Sequence, residues 1–390
     1  MASADALEPV LGGIAEFLDA LAAMSPAAQK RNLAFIAAQA AAEERVRQDY
    51  TGRYPMELLQ NAHDAAAEAG RPGEVRFHLT ETALVVANEG VPFDEEHIDA
   101  LVSLGLSEKR TIEGKRQTIG YKGIGFSSVF EITDSPQVIA GDLAFSFDRE
   151  RARDRVEAAL GRRIDLIPVR AFPFRINEND WEADADLVAR LVAAGAITVV
   201  RLPLRDPSFA PQVAESLQHS LPPEVLLFSP FVSSLTTATT EWSKTWRRTS
   251  ARRHGSGRIV FLEEENGERR GWLTADGNVA LSAKDAEALS DRLWEDVREL
   301  SYAVALPWQG GVLPDVRPHH VHVYYPTDDV LDRAVLVHGD FYVTSDRRRI
   351  ETNGAGGRIS ERVAVAAAKT VARLAEGLAV GPEDVVPERV

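Results

Sequence analysis

The chain has no cysteine in its 390 residues. That excludes disulfides, thiolate metal sites and a cysteine nucleophile. It has no uninterrupted apolar run long enough to cross a bilayer. The start, Met1-Ala-Ser-Ala-Asp-Ala-Leu-Glu8, lacks the basic stretch of a secretory signal and sets acids among its apolar residues. No membrane association and a cytoplasmic location are therefore expected. Cations are in deficit: Lys plus Arg is 44 and Asp plus Glu is 59, a net charge of −15. Direct adhesion to nucleic acid or to anionic membranes is not expected from such a balance. Two common nucleotide signatures are also missing. No Gly-Lys-Ser/Thr closes a Walker loop. No clear strand and turn precede the glycines near 120 as a Rossmann unit needs, because Ser107 to Gln117 is charged and loop-like. No internal repeat is evident, and the length suffices for two domains with cores of their own.

What is present is a pair of polar signatures inside apolar surroundings. The first is Glu57-Leu-Leu-Gln-Asn61-Ala-His-Asp64-Ala65. At about 100° per residue, four steps return to roughly 40° from the start and seven to within about 20°. A helix here therefore puts Glu57, Asn61 and Asp64 on one stripe. Leu58, Leu59, Ala62, Ala65 and Ala66 take the other faces and can pack on a sheet. Two carboxylates and an amide oxygen suit a hydrated magnesium triphosphate. The amide oxygen can ligate the hard cation, and the first carboxylate can orient an attacking water. An ordinary amphipathic surface helix is the competing reading.

The second signature is Gly120-Tyr121-Lys122-Gly123-Ile124-Gly125-Phe126. Its glycines let backbone N–H groups approach phosphate closely. The apolar run that follows, Ser127-Ser-Val-Phe130, reads as a helix whose N-terminus faces the same anion. Between the two signatures, a strand-like segment ends in Asn88-Glu-Gly90.

The full set resembles the GHKL ATPases, and within them the sacsin and "no vein" branch. The matching residues are Asp49-Tyr50-Thr-Gly-Arg53, the Glu57 to Ala65 segment, Asn88-Glu-Gly90-Val-Pro-Phe93, Ser107-Glu-Lys109 and Ile119 to Phe130. Leu221 to Phe228, Tyr324 to Thr327, Gly339 to Phe341 and Ser345 to Arg347 look like later landmarks of that branch. The resemblance implies roles. Glu57 would polarise the hydrolytic water, and Asn61 would bind Mg²⁺ with Asp64 close by. Asn88 stands where most GHKL members have an Asp that accepts from the adenine amino group, so its amide must present oxygen there. Gly90 would let the base lie close to the backbone, and Pro92 stiffens that turn where a glycine is common. Ala65, Phe93, Tyr121, Lys122, Ile124 and Phe126 would complete the ATP pocket. Lys109 would neutralise phosphate charge from the lid, while Gly120, Gly123 and Gly125 wrap the triphosphate. Thr198 would complete the adenine network. Arg347, from the following domain, would reach the γ-phosphate.

The expected fold class is α+β. A Bergerat-type α/β sandwich with a mixed, mostly antiparallel sheet is followed by a smaller α/β transducer-like domain. Residues 1–48 read as an Ala-rich helical segment, broken near Ser25-Pro26, that packs on the ATP domain. The ATP-binding domain is expected over 49–207, the middle domain over 208–355, and a helix and tail over 356–390. Hairpin strands are expected at Val75 to Leu79 and Leu84 to Ala87, with helices at Arg149 to Arg162 and Ala183 to Ala194. Arg247 to Arg258 reads as a basic loop, first of all a solvated hairpin tip and otherwise a phosphate or nucleic-acid contact, and His319, His320 and His322 as a weak candidate for metal. The expected function is Mg²⁺-dependent ATP binding with slow hydrolysis, in which lid closure moves the second domain. Expected partners are ATP and a protein partner or client, as in a chaperone or defence assembly, with a homodimer left open. The rivals are a nucleotide-sensing module with negligible turnover and a GHKL-type kinase. The kinase is disfavoured because no phospho-acceptor His helix is evident.

Overall fold

The computed structural model describes residues 4–49, 51–102, 111–112, 115–116, 125–289, 294, 297–309, 319–323, 325–344 and 348–378. They divide into two compact units. Unit 1 lies within Met1–Glu108, Gly120–Ser220 and Thr236–Ser243. Unit 2 lies within Lys109–Ile119, Leu221–Leu235 and Lys244–Val390. Each is a mixture of helices and strands.

The chain begins with α1 (Glu8–Ala23) and α2 (Pro26–Asp49), separated at Ser25 as the sequence leads one to expect. It continues through α3 (Tyr54–Glu68), β1 (Gly73–Leu79), β2 (Ala83–Asn88) and α4 (Glu95–Val102). A two-residue ladder, assigned to unit 2, joins β3 (Thr111–Ile112) to β4 (Lys115–Arg116). Then come a 3-10 turn (Gly125–Glu131), β5 (Gln137–Ala140), β6 (Leu143–Phe147) and α5 (Arg149–Leu160). The rest of unit 1 holds β7 (Pro173–Arg175), α6 (Ala185–Ala193), β8 (Thr198–Pro203) and α7 (Ala210–Ser220).

Its strands run in the order β1-β2-β8-β5-β6-β7, each pair antiparallel. In β1, Val75, Phe77 and Leu79 are buried while the residues between them are half-buried, the period of a one-sided strand. By contrast β2 is apolar up to Asn88 and buried throughout, as a strand covered on both faces should be. Ala83, Val85 and Ala87 face a core shared with Trp181, Val188, Leu191 and Val199. Leu84, Val86 and Asn88 point the other way, alongside their β1 partners Leu79, Phe77 and Val75. The side chain of Asp148 accepts from the Arg151 N–H at 2.9 Å and caps α5, and Gly161 at φ 65° ends it. On α5 rests α1, sharing a core of Leu18, Ala152, Val156 and Phe172. The N-terminal segment therefore packs against its own unit.

Unit 2 contains α8 (Val225–Phe228), β10 (Ser243–His254), β11 (Gly257–Glu264), β12 (Arg269–Ala280) and α9 (Ala283–Glu287); β9 (Val232–Ala238) straddles the division. After these come β13 (Glu299–Trp308), β14 (His319–Val323), β15 (Tyr325–Leu331), β16 (Leu336–Gly339) and α10 (Gly354–Leu378). The strand order is β15-β14-β16-β13-β12-β11-β10, and β14 with β16 is a parallel pair. On α10, Ile359, Val363, Ala367 and Leu374 are buried at helical spacing, and the helix packs on β12 and β13. The basic stretch 247–258 is a hairpin, as its favoured reading expects. It forms the arms of the β10–β11 hairpin, and Gly255 at φ 55° makes the turn. The guanidinium of Arg248 donates to the carbonyls of Leu226 and Pro230 at 3.3 and 2.9 Å, whereas Arg247, Arg253 and Arg258 are exposed.

Candidate functional site

Proline near its first turn starts α3, which packs on β1, α7 and the 3-10 turn at Gly125. The helix is not simply amphipathic. Glu57, Gln60 and His63 are all buried, with Glu57 only 3% exposed. One turn on, Asn61 is exposed, and Asp64 is half-buried with its Oδ1 3.3 Å from His63 Nδ1. The stripe of Glu57, Asn61 and Asp64 thus runs from the interior to the surface. At the helix start, burial pushes the Tyr54 hydroxyl up to about 12, against a hydrogen bond with Ser216 that pulls it down.

Gly125 lies directly against Glu57. A Cβ at this glycine would stand 1.9 Å from Glu57 Oε2 and 2.8 Å from its Cδ. No other residue type fits without displacing the carboxylate or the turn. The turn is fixed from within, since Ser128 Oγ donates to the Gly125 carbonyl at 2.7 Å. Phe126 faces inward and meets Phe147 edge-on at 6.0 Å.

A second cluster forms at the end of β2. Asn88 is paired in register with Thr198 of β8, and both are buried. Cross-strand partners share a face, so the amide and the hydroxyl are neighbours. Asn88 Nδ2 donates to the Glu89 carbonyl at 3.1 Å, an assignment that leaves Oδ1 as the acceptor. Gly90 has φ 148°, and a Cβ there would come within 2.8 Å of Ala65 Cβ and carbonyl oxygen. The Val91 N–H donates to that same carbonyl at 3.1 Å. The turn after β2 is therefore seated on α3, the helix that carries Glu57. Phe93 is half-buried, its ring 5.7 Å from His97 and 6.3 Å from Phe145.

Lys109, Gly120, Tyr121, Lys122, Gly123, Ile124 and Arg347 lie outside the described residues. Among the described residues there is no cluster of three or more His, Asp or Glu able to hold a metal. That covers His319, His320 and His322. A magnesium ion carried by a triphosphate needs no such cluster, because it keeps phosphate oxygens and waters and takes one or two protein oxygens. The exposed amide of Asn61 and the nearby Asp64 carboxylate are donors of that kind, while Gly90 is packed on Ala65 and Gly125 on Glu57.

The motif reading passed over Arg170. This residue sits in a short 3-10 turn (Val169–Ala171) and is wholly buried. It donates to Ser127 Oγ at 2.8 Å, two residues past Gly125. The available signal was a lone Arg inside the apolar run Leu166 to Phe174, since a buried cation must be paired.

Residues 45–224 match a family model described as the Sacsin domain. Protein NO VEIN of Arabidopsis thaliana is 37% identical over 112 residues, which is 29% of this chain and 4% of that protein. Sacsin of Homo sapiens is 40% identical over 106 residues, 24% of this chain and 2% of that protein. The chain thus matches only a small part of the length of these relatives. The matched region is sacsin-like, and it encloses Glu57, Asn88, Gly125, Arg170 and Thr198. No helix among the described residues is long and apolar enough to cross a membrane.

Proposed function

We propose that unit 1 binds Mg·ATP in the GHKL manner and hydrolyses it slowly. The observation that carries this reading is the seating of Gly125 on the Glu57 carboxylate. The second signature meets the first so closely that a Cβ at 125 would have to move the buried Glu57 carboxylate, although about seventy residues of sequence part them. Such closeness suits a backbone that must pass between a catalytic carboxylate and a phosphate.

The placement of the described residues supports the following roles, and the resemblance supplies the rest. Adenine would lie beside Asn88 and Thr198, with Asn88 Oδ1 accepting from its amino group. Gly90 would admit the ring plane against the backbone. Asn61 Oδ1, with phosphate oxygens and waters, would hold Mg²⁺, which when bound offsets the charge of the triphosphate. Glu57, held in a site shielded from bulk water, would orient the attacking water. Phosphoryl transfer asks little more of a protein than positioning and charge stabilisation. The glycines at 120 and 123, with Tyr121, Lys122 and Ile124, would extend the phosphate contacts. The bound state would then favour one conformation for a protein partner to read, since a ligand shifts an equilibrium only through differential affinity.

Calorimetry with Mg·ATP and a phosphate-release assay test the proposal. Glu57→Ala should retain ATP binding and lose turnover. Asn61→Ala should lose Mg·ATP binding. Unchanged phosphate release from Glu57→Ala would remove the catalytic assignment. Tight binding with no turnover by the wild type would make this a nucleotide sensor instead.

A further inference from the structure

A buried guanidinium is costly unless every donor finds an acceptor, and an apolar replacement of similar volume is often as stable. Arg170 is such a group, and its partners are informative. Its Nε and Nη2 donate to the Leu101 carbonyl at 2.8 and 2.6 Å. Leu101 lies in the last turn of α4, where helix carbonyls lack partners of their own. Its Nη1 donates to Ser127 Oγ at 2.8 Å. One side chain therefore ties the end of α4 to the 3-10 turn whose first residue rests on Glu57. The turn that presents Arg170 is itself held. The N–H groups of Val169 and Arg170 donate to the two carboxylate oxygens of Glu43 on α2, at 2.8 and 3.1 Å. Burial lowers the Arg170 guanidinium to about 10, and the Glu43 charge opposes that fall, so it stays cationic at neutral pH. Glu43 falls just before the Sacsin-matched region, whereas Ser127 and Arg170 fall within it.

We propose that Arg170 is a positioning residue of this site, which holds the Ser127 turn so that Gly125 stays seated on the Glu57 carboxylate. It touches no reacting atom. Its catalytic consequence rests on the ATP reading above, but the placement of the turn does not. Loss of the Ser127 tie frees the turn while leaving the two bonds to Leu101 and the Glu43 contacts in place.

The test uses the full chain with Ser127→Ala, Ser127→Thr and Arg170→Lys. The first reads amide hydrogen exchange over residues 125–131 without nucleotide. Ser127→Ala and Arg170→Lys should both speed exchange there about tenfold or more, the loss expected for one charge-assisted hydrogen bond. Ser127→Thr, which keeps the hydroxyl, should restore protection. The second reads Mg·ATP turnover: kcat should fall about tenfold in Ser127→Ala with KM nearly unchanged. Exchange at the wild-type rate in Ser127→Ala overturns the proposal. So does faster exchange spread over the whole of unit 1, which would mark a merely structural role. A wild type without turnover, but with exchange responding as expected, removes the hydrolysis reading and leaves the positioning role standing.

Discussion

Two glycines carry the sharpest consequences of this site, because what each one lacks is what its neighbour occupies. At Gly125, an added methyl would sit 1.9 Å from Glu57 Oε2. Gly125→Ala must therefore swing the carboxylate aside or lift the turn. A displacement near 1 Å at a reacting centre costs about a hundredfold in rate. On the ATPase proposal the expected outcome is a loss of kcat of that order that exceeds what any fall in melting temperature accounts for, with a nearly native circular dichroism spectrum. Gly90 differs in kind. Its φ of 148° is a conformation that residues with a Cβ rarely adopt, and Ala65 blocks the space. Gly90→Ala should cost about 1–3 kcal/mol, the usual cost of such strain, and urea unfolding measures it directly. Loss of turnover beyond the loss of stability at 125, and loss of stability alone at 90, would separate a catalytic close approach from a structural one.

At the scale of elements, a buried polar network joins four parts of unit 1. Arg201 on β8 pairs with Asp184 at 2.7 Å, and both side chains are at most 6% exposed. Arg201 Nη1 also donates to Gln137 Oε1 of β5 at 3.0 Å. Thr82, in the β1–β2 turn, donates to Asp184 Oδ2 at 3.0 Å. Asp184→Ala would strand a cation in the interior, for which about 3–5 kcal/mol is the common cost. The midpoint of urea unfolding should fall accordingly, and a shift below 1 kcal/mol would show that water reaches Arg201. This network also marks where the sequence stops being legible. The helix of Glu57, the β1–β2 hairpin and the break at Ser25 are local, and the periodicity of their apolar residues reveals them. So does the polar stripe of α3. The pairing of Asn88 with Thr198, by contrast, is set by strand order, which no local pattern encodes; family resemblance supplied Thr198. Arg170 and Glu43 stayed hidden because each is one polar residue whose partners are distant in sequence. The stretch 247–258 was legible as a solvated hairpin tip, because charge clustered around a glycine turn is local, and Arg247, Arg253 and Arg258 are exposed on that hairpin.

For the whole molecule, the two units should answer acid differently. In unit 2, His322 and His338 are register partners on β14 and β16, both buried, and each ring lies within 5.3 Å of the Phe228 ring. Burial lowers His322 to about 3, with His338, His320 and His319 adding to the fall. A histidine whose folded pKa is depressed is neutral in the native state. Its contribution is fully present above the unfolded value near 6.5 and is lost as pH falls toward the folded value. The loss would reach on the order of 4 kcal/mol near pH 3. In unit 1, His78 on β1 is lowered in the same sense by burial, Arg76 and Arg190, but it is only half-buried. Glu43 there is raised by burial, so its native form takes up a proton above the unfolded value and opposes acid loss in that window. Between pH 6.5 and 4.5 unit 2 should therefore lose stability faster than unit 1. Hydrogen exchange followed separately in β13–β16 and in β1–β2–β8 reads this, with protection in the first set falling earlier. His322→Leu, close in volume and without a proton to bind, should flatten the acid limb of unit 2 and leave unit 1 as it was. Parallel loss in both sets, or an unchanged limb in His322→Leu, would place the acid sensitivity in carboxylates rather than in this buried imidazole.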